Sequence, residues 1–207
     1  MNAPWPAGCL RLYLVTDEAL AGGRPLAAAV GAAVDGGVTC VQLRAKTDSA
    51  RRILEQAREL LALLRPRGVP LIVNDRFDIA LAAGADGVHV GQHDLPCAAV
   101  RRLAPPGFRI GVSVSTAAEA RAAEADGADY LGVSPVFDTP TKRDTPRAAG
   151  LEGLRRIRAA TRLPLVAIGG IHAGNAAAVR AAGADGLAVV SAIMAAPDPA
   201  AAARQLC

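Results

Sequence analysis

Gly183-Ala184-Asp185-Gly186-Leu187-Ala188-Val189-Val190 is the stretch from which the fold is read. Its glycine suits a left-handed helix terminus, its aspartate a tight turn, and the apolar run that follows a short strand. Gly-Ala-Asp recurs at 84–86 and 127–129, each time closing an alanine-rich helical stretch and opening an apolar strand. Gly36-Gly37-Val38-Thr39 stands in the same relation to the strand at 40–43. The four copies are roughly forty to sixty residues apart, the spacing of a repeated two-strand, two-helix unit.

Filling the gaps predicts eight strands, at 10–15, 40–43, 71–73, 88–90, 109–113, 130–132, 165–168 and 187–190. Most are short, rich in Val, Ile and Leu, and without polar alternation, the mark of parallel strands buried on both faces. Helical patterns alternate with them. Residues 49–64 place Leu54, Ala57, Leu61 and Leu64 on one stripe, with Arg51, Arg52, Glu55 and Arg58 largely off it. Thr116-Ala117-Ala118-Glu119 is a capping-box pattern, and Pro25 and Pro96 stand where first-turn prolines belong. Such alternation predicts an α/β protein, a single-domain (β/α)8 TIM barrel spanning 1–207. A doubly wound open sheet is the alternative. The fourfold repeat and the absence of Gly-x-Gly-x-x-Gly after the first strand argue against it.

Composition narrows the function classes. The 207 residues are 52% hydrophobic but only 3% aromatic, so the core is built from Leu, Val, Ile and Ala. The net charge of +4 fits an anionic small molecule, and no dense Lys/Arg run marks a nucleic-acid footprint. Cys9, Cys40, Cys97 and Cys207 are scattered without metal-type spacing and read as reduced structural thiols. No signal-peptide pattern opens the chain, and no apolar run approaches the roughly 20 residues of a membrane span. The expectation is a soluble cytoplasmic protein.

In a barrel, chemistry sits at the carboxyl ends of the strands, and those ends are unusually polar here. Thr16-Asp17 ends the first strand. The second runs through Val41-Gln42-Leu43-Arg44-Ala45-Lys46, whose alternation lines up an amide, a guanidinium and an ammonium on one face. Asn74-Asp75-Arg76 follows the third strand, Gly91-Gln92-His93-Asp94 the fourth and Ser113-Val114-Ser115 the fifth. Asp75 and Asp94 beside Arg44 and Lys46 describe a Mg²⁺–diphosphate site, since Mg²⁺ is commonly held by one or two carboxylates plus phosphate oxygens. Taken singly, each aspartate reads as a turn cap, and Asp75 also as a partner of Arg76. Gly169-Gly170 and Val190-Ser191 end the last two strands, where barrels often hold phosphate on backbone N–H groups. The longest connection, from Val133 to Gly150, reads as a lid or binding loop. His89 reads as a satisfied interior group. His93 and His172 lie in loops without a nucleophile triad around them and receive no catalytic role.

In series, the strand end from Tyr13 to Asp17, Gln42-x-Arg44-x-Lys46, Asn74-Asp75, Gly87-Val-His-Val-Gly-Gln-x-Asp94, Gly111-Val-Ser113, Thr139-x-Thr141-Lys142, Ile168-Gly-Gly-Ile171 and Val190-Ser191-Ala-Ile resemble the thiamine phosphate synthase family over nearly the whole chain. The resemblance implies a (β/α)8 transferase that joins hydroxymethylpyrimidine diphosphate to thiazole phosphate with Mg²⁺. It implies that Gln42, Arg44, Lys46, Asn74, Ser113 and Lys142 contact the pyrimidine diphosphate. Arg44, Lys46, Ser113 and Lys142 would bear on catalysis. Asp75 and Asp94 would ligate Mg²⁺, and Thr139, Thr141, Gly170, Val190 and Ser191 would hold the thiazole phosphate. Ser134 stands where the family usually has Gly, and Asp138 where it usually has Pro. An isomerase like the thiazole tautomerase of the same fold is a weaker alternative. It lacks the paired carboxylates and carries a His in the sixth-strand loop, whereas no His lies between His93 and His172 here. A non-catalytic phosphate binder would not need two carboxylates beside a cationic row. The partners implied are small molecules, with neither nucleic acid nor membrane, and a homo-oligomer is left open.

Overall fold

The computed structural model describes residues 8–138 and 148–207. Eight parallel strands close on themselves in sequence order: β1 Leu12–Val15, β2 Cys40–Leu43, β3 Leu71–Asn74, β4 Gly87–Val90, β5 Arg109–Val114, β6 Tyr130–Val133, β7 Leu165–Ile168 and β8 Gly186–Val189. Nine helices accompany them among the described residues: α1 Leu26–Asp35, α2 Ala50–Leu64, α3 Phe77–Ala83, α4 Cys97–Leu103, α5 Ala117–Ala125, α6 Gly150–Ala160, α7 Ala173–Ala181, α8 Ser191–Met194 and α9 Pro199–Arg204. This is the TIM barrel the repeat predicts. Strand β1 begins later than expected because residues 8–10 form a turn, in which Arg11 N–H bonds Gly8 O at 3.1 Å. Strand β8 ends one residue early because Val190 turns out of the extended conformation to cap α8.

The Gly-Ala-Asp repeat does more than turn the chain. Its aspartate accepts the N–H that opens the preceding odd-numbered strand or follows directly on its first residue. Asp86 takes Leu71 N–H, Asp129 takes Ile110 N–H and Asp185 takes Leu165 N–H, each at 2.8 Å. In the divergent first copy, Thr39 Oγ1 takes Leu12 N–H at 3.0 Å. The backbone answers in every copy. Asp86, Asp129, Asp185 and Thr39 donate their own N–H to the carbonyls of Leu71, Ile110, Leu165 and Leu12, at 2.8–3.0 Å. Each even-numbered strand is thereby stapled to its odd-numbered neighbour at the amino-terminal end of the barrel. Arginines from the outer layer tie down the same turns. Arg65 reaches Gly84 O, Arg101 reaches Gly127 O and the Asp129 carboxylate, and Arg158 reaches the Asp185 carboxylate.

Strand alternation sorts the apolar residues into two regions. Leu12, Leu14, Val41, Leu43, Leu71 and Val73 face outward into one continuous core shared with the helices. Tyr13, Val15, Cys40, Ile72, Tyr130, Val166 and Ala188 fill the barrel interior. Helix α2 starts on a Ser49 cap that accepts Arg52 N–H. It buries Ile53, Gln56, Ala57, Leu60, Leu61 and Leu64, while Leu54 is only half-buried, so its inner face is turned toward Ile53 and Leu60 relative to the predicted stripe. Thr116 caps α5 as expected, but Glu119 reaches back to Ser115 N–H instead of completing the box on Thr116. Pro25 and Pro96 occupy cap positions just before α1 and α4. All four cysteines are free thiols. Among the described residues no helix is long and apolar enough to cross a membrane.

The staple predicts a stability effect remote from the carboxyl ends of the strands. Asp129→Ala should lower unfolding free energy by about 2–3 kcal/mol, the usual cost of stranding partners of a charged acceptor. Asp129→Asn, which keeps an acceptor oxygen, should lose about half as much. Urea unfolding with an unchanged m-value measures both, and equal losses would contradict the acceptor role.

Candidate active site at the carboxyl ends of the strands

The strand alternation that sends Val41 and Leu43 outward turns Gln42 inward, and Arg44 and Lys46 continue that row into the barrel mouth. Thr16 holds this stretch in place. Its N–H bonds Gln42 O at 2.9 Å and its hydroxyl accepts Arg44 N–H at 3.0 Å. The two cations face carboxylates at long range: Arg44 lies 3.9 Å from Asp17, and Lys46 lies 3.8 Å from Asp75. Partly exposed pairs at such distances are worth little, so both cations are held near the mouth without being committed to a partner.

Asp75 is the one non-glycine among the described residues with a left-handed backbone, φ 60°. Its N–H extends the β3–β4 ladder to His89 O at 2.8 Å. That conformation costs on the order of 1 kcal/mol for an L-residue and is tolerated best by Asn and Asp. Its carboxyl is pushed up to about 6, first by burial and then by the facing carboxylate of Asp94. Arg76 does not relieve it, because that guanidinium is taken by Asp78 through two bonds of 2.6 and 2.9 Å. Asp94 does act as a turn cap, accepting Gly91 N–H at 2.7 Å, while also facing Asp75. Among the described residues no group of three or more His, Cys, Asp or Glu side chains is placed to share a metal ion. Two facing carboxylates suit a hard divalent cation completed by water and phosphate oxygens.

At the opposite side of the mouth, Gly169 and Gly170 have φ of 105° and 62°. A Cβ on Gly169 would lie 2.7 Å from Pro135 Cβ, and one on Gly170 would lie 2.9 Å from Asp138 O. The two glycines therefore let the segment after β6 pass directly over the end of β7. Asn175 pins the turn by donating to Gly170 O and accepting His172 N–H, both at 2.9 Å. His172 caps α7, accepting Gly174 N–H through its ring. Ser134 lines the same mouth.

Between the two sides, a hydrogen-bonded chain crosses the barrel interior. Gln42 Nε2 donates to the Tyr13 hydroxyl at 3.0 Å, and the Tyr13 and Tyr130 hydroxyls are 2.8 Å apart. His89 Nδ1 lies 3.1 Å from the Tyr130 hydroxyl, and its Nε2 lies 2.9 Å from Ser113 Oγ. Glycines make room for these rings. A Cβ on Gly111 would collide with the Tyr130 ring and hydroxyl and with His89 Nδ1, and one on Gly132 would lie 2.9 Å from His89 Cε1. Sequence reasoning placed His89 inside as a satisfied group, but it missed Tyr13 and Tyr130 as part of the site. The available signal was their inward register, with Tyr130 beside Gly111 on the neighbouring strand.

Gln42, Arg44, Lys46, Asn74, Asp75, Asp94, Ser113, Gly170, Val190 and Ser191 all line one cleft with about 1090 Å³ of space open to solvent. Thr139, Thr141 and Lys142 lie outside the described residues.

Comparison with known proteins bears on what such a cleft does. Residues 12–193 match the family model described as thiamine monophosphate synthase. The chain is 62% identical to thiamine-phosphate synthase of Albidiferax ferrireducens over 198 residues, 95% of this chain and 90% of that protein. It is 57% identical to thiamine-phosphate synthase of Chloroflexus aurantiacus over 196 residues, again 95% and 90%. Among solved structures it is similar to thiamine phosphate pyrophosphorylase from Pyrococcus furiosus, with a TM-score of 0.89 and 42% identity, covering 97% of this chain and 95% of that one.

The interior packing yields a direct test. Gly111→Ala should destabilise the protein by about 1–3 kcal/mol, the range for overpacking a filled interior. It should also weaken turnover by displacing Tyr130 and His89. Thermal unfolding and steady-state kinetics on the same preparation check both, and an unchanged melting temperature would show that the rings can move aside freely.

Proposed function

The chain belongs to the thiamine monophosphate synthase family and is an enzyme of the thiamine-phosphate synthase type, a transferase of thiamine biosynthesis, and from that premise we propose how the cleft divides its substrates. Hydroxymethylpyrimidine diphosphate lies on the β2–β5 side, and thiazole phosphate lies against the ends of β7 and β8. The observation that carries this placement is the meeting of the Arg44–Lys46 row with the facing carboxylates of Asp75 and Asp94 on neighbouring strands.

In this reading Arg44 and Lys46 leave their loose carboxylate partners and take the diphosphate, Arg44 as a fork and Lys46 as a point charge. Gln42, Asn74 and Ser113 hold the pyrimidine. Gly170, Val190 and Ser191 receive the thiazole phosphate on backbone N–H groups, with Thr139 and Thr141. Lys142 joins Arg44 and Lys46 around the leaving group. The bond from the pyrimidine methylene carbon to the diphosphate oxygen breaks, and its electron pair leaves with diphosphate. The aminopyrimidine ring stabilises the resulting cation, and the thiazole nitrogen supplies the pair for the new C–N bond. The residues act by charge and position, with neither a protein nucleophile nor a general base in the sequence of steps. Asp75 and Asp94 would hold Mg²⁺, whose chemistry here is to neutralise charge on the diphosphate.

Two measurements test the placement. Asp94→Ala should lose roughly 10²–10³-fold in kcat, the scale for removing one electrostatic stabiliser, while its unfolding curve stays close to wild type. Thiamine phosphate formation from both substrates, with and without Mg²⁺, reads this out, and wild-type rates at limiting Mg²⁺ would remove Asp94 from the metal site. Arg44→Ala should raise KM for pyrimidine diphosphate roughly 10–100-fold, the range for a lost charged hydrogen bond, and leave KM for thiazole phosphate nearly unchanged. Equal increases for both would place the substrates the other way.

A further inference from the structure

The chain of hydrogen bonds across the barrel has a direction. Gln42 Nε2 can only donate, so the Tyr13 oxygen accepts from it and the Tyr13 proton faces the Tyr130 oxygen. The Tyr130 proton then faces His89 Nδ1. Burial drives both phenols well above their ordinary pKa, so each has a proton to place. An imidazole that accepts at Nδ1 carries its proton at Nε2, and that proton points to Ser113 Oγ.

We propose that Tyr13, Tyr130 and His89 form a directed hydrogen-bond relay that holds His89 as its Nε2–H tautomer and thereby sets Ser113 as a donor to the substrate. In this arrangement the Ser113 oxygen is already accepting from His89, and its own proton is left for an acceptor atom in the cleft, such as a ring nitrogen of the pyrimidine. The Ser113–His89 distance of 2.9 Å is that of a nucleophile–base pair. The relay gives it the opposite polarity, because His89 Nε2 already carries a proton and cannot take the one on Ser113. Direction is set at the far end by the Gln42 amide. Were its oxygen turned to Tyr13, every bond in the chain would reverse, and Ser113 would become a donor to His89. The relay thus couples the two ends of one pocket, Gln42 on β2 and Ser113 on β5.

The role of Ser113 toward substrate rests on the placement proposed above, whereas the tautomer of His89 does not, and the experiments separate the two. Nitrogen NMR of the full chain labelled with ¹⁵N-histidine, without ligand, should show His89 neutral and protonated at Nε2, with His93 and His172 assigned by substitution. An Nδ1–H tautomer or an imidazolium overturns the relay. In steady-state kinetics Tyr130→Phe should raise KM for pyrimidine diphosphate about 3–10-fold and leave KM for thiazole phosphate unchanged. The same substitution in a Ser113→Ala background should add nothing, because a positioning residue has no effect once its target is gone. Additive losses overturn the proposal. If Ser113→Ala itself leaves KM for pyrimidine diphosphate unchanged, the substrate placement falls, and the NMR result alone decides the relay.

Discussion

The amino-terminal end of this short-stranded parallel barrel is held by one repeated bond, from an early N–H of an odd-numbered strand to the side-chain oxygen that opens the next strand. Strands of four residues in most cases offer few ladder bonds each, so the amino-terminal ends need another anchor. Asp86, Asp129, Asp185 and Thr39 supply it with near-equal geometry. The arginines Arg65, Arg101 and Arg158 fasten those turns to the helical layer. Because this anchoring is concentrated at one end, the other end can carry groups chosen for chemistry.

The opposite end is correspondingly unsettled. Asp75 is held in a left-handed conformation and faces a second carboxylate, which raises its pKa. Arg44 and Lys46 sit at the outer limit of ion-pair distance from their partners. None of these features helps the protein fold. Together they keep two positive and two negative groups in reach of each other and of the cleft, ready to exchange partners when a charged ligand arrives. Local strain tolerated by a firmly closed scaffold is how such sites persist.

Between the two ends, the interior reconciles size with polarity. Tyr13, Tyr130 and His89 are large and polar, and Gly111 and Gly132 on adjoining strands make the space for them. Each ring's polar atoms meet another polar atom of the same chain, so the interior is filled without stranding a hydroxyl there. A core otherwise poor in aromatics, at 3% of the chain, spends two of its few rings here.

The sequence by itself determined the eight strands, the barrel, and the row Gln42, Arg44, Lys46 with Asp75 and Asp94 nearby. These follow from period-two alternation and from turn residues at fixed offsets, which are local properties of the chain. The resemblance supplied the family. What the sequence could not supply were contacts between residues far apart along it. The Asp129 carboxylate binds a strand that begins about twenty residues earlier, where only a turn role was legible. Tyr13 and Tyr130 meet across 117 positions. The inner face of α2 is centred on Ile53, Ala57, Leu60 and Leu64, which leaves Leu54 half-buried at its edge, because neighbouring elements decide which part of an apolar stripe is covered. The left-handed Asp75 depends on the β3–β4 ladder bond to His89. Alternation tells which way a side chain points. Only closure of the barrel decides what it meets there, because the interior is shared by all eight strands.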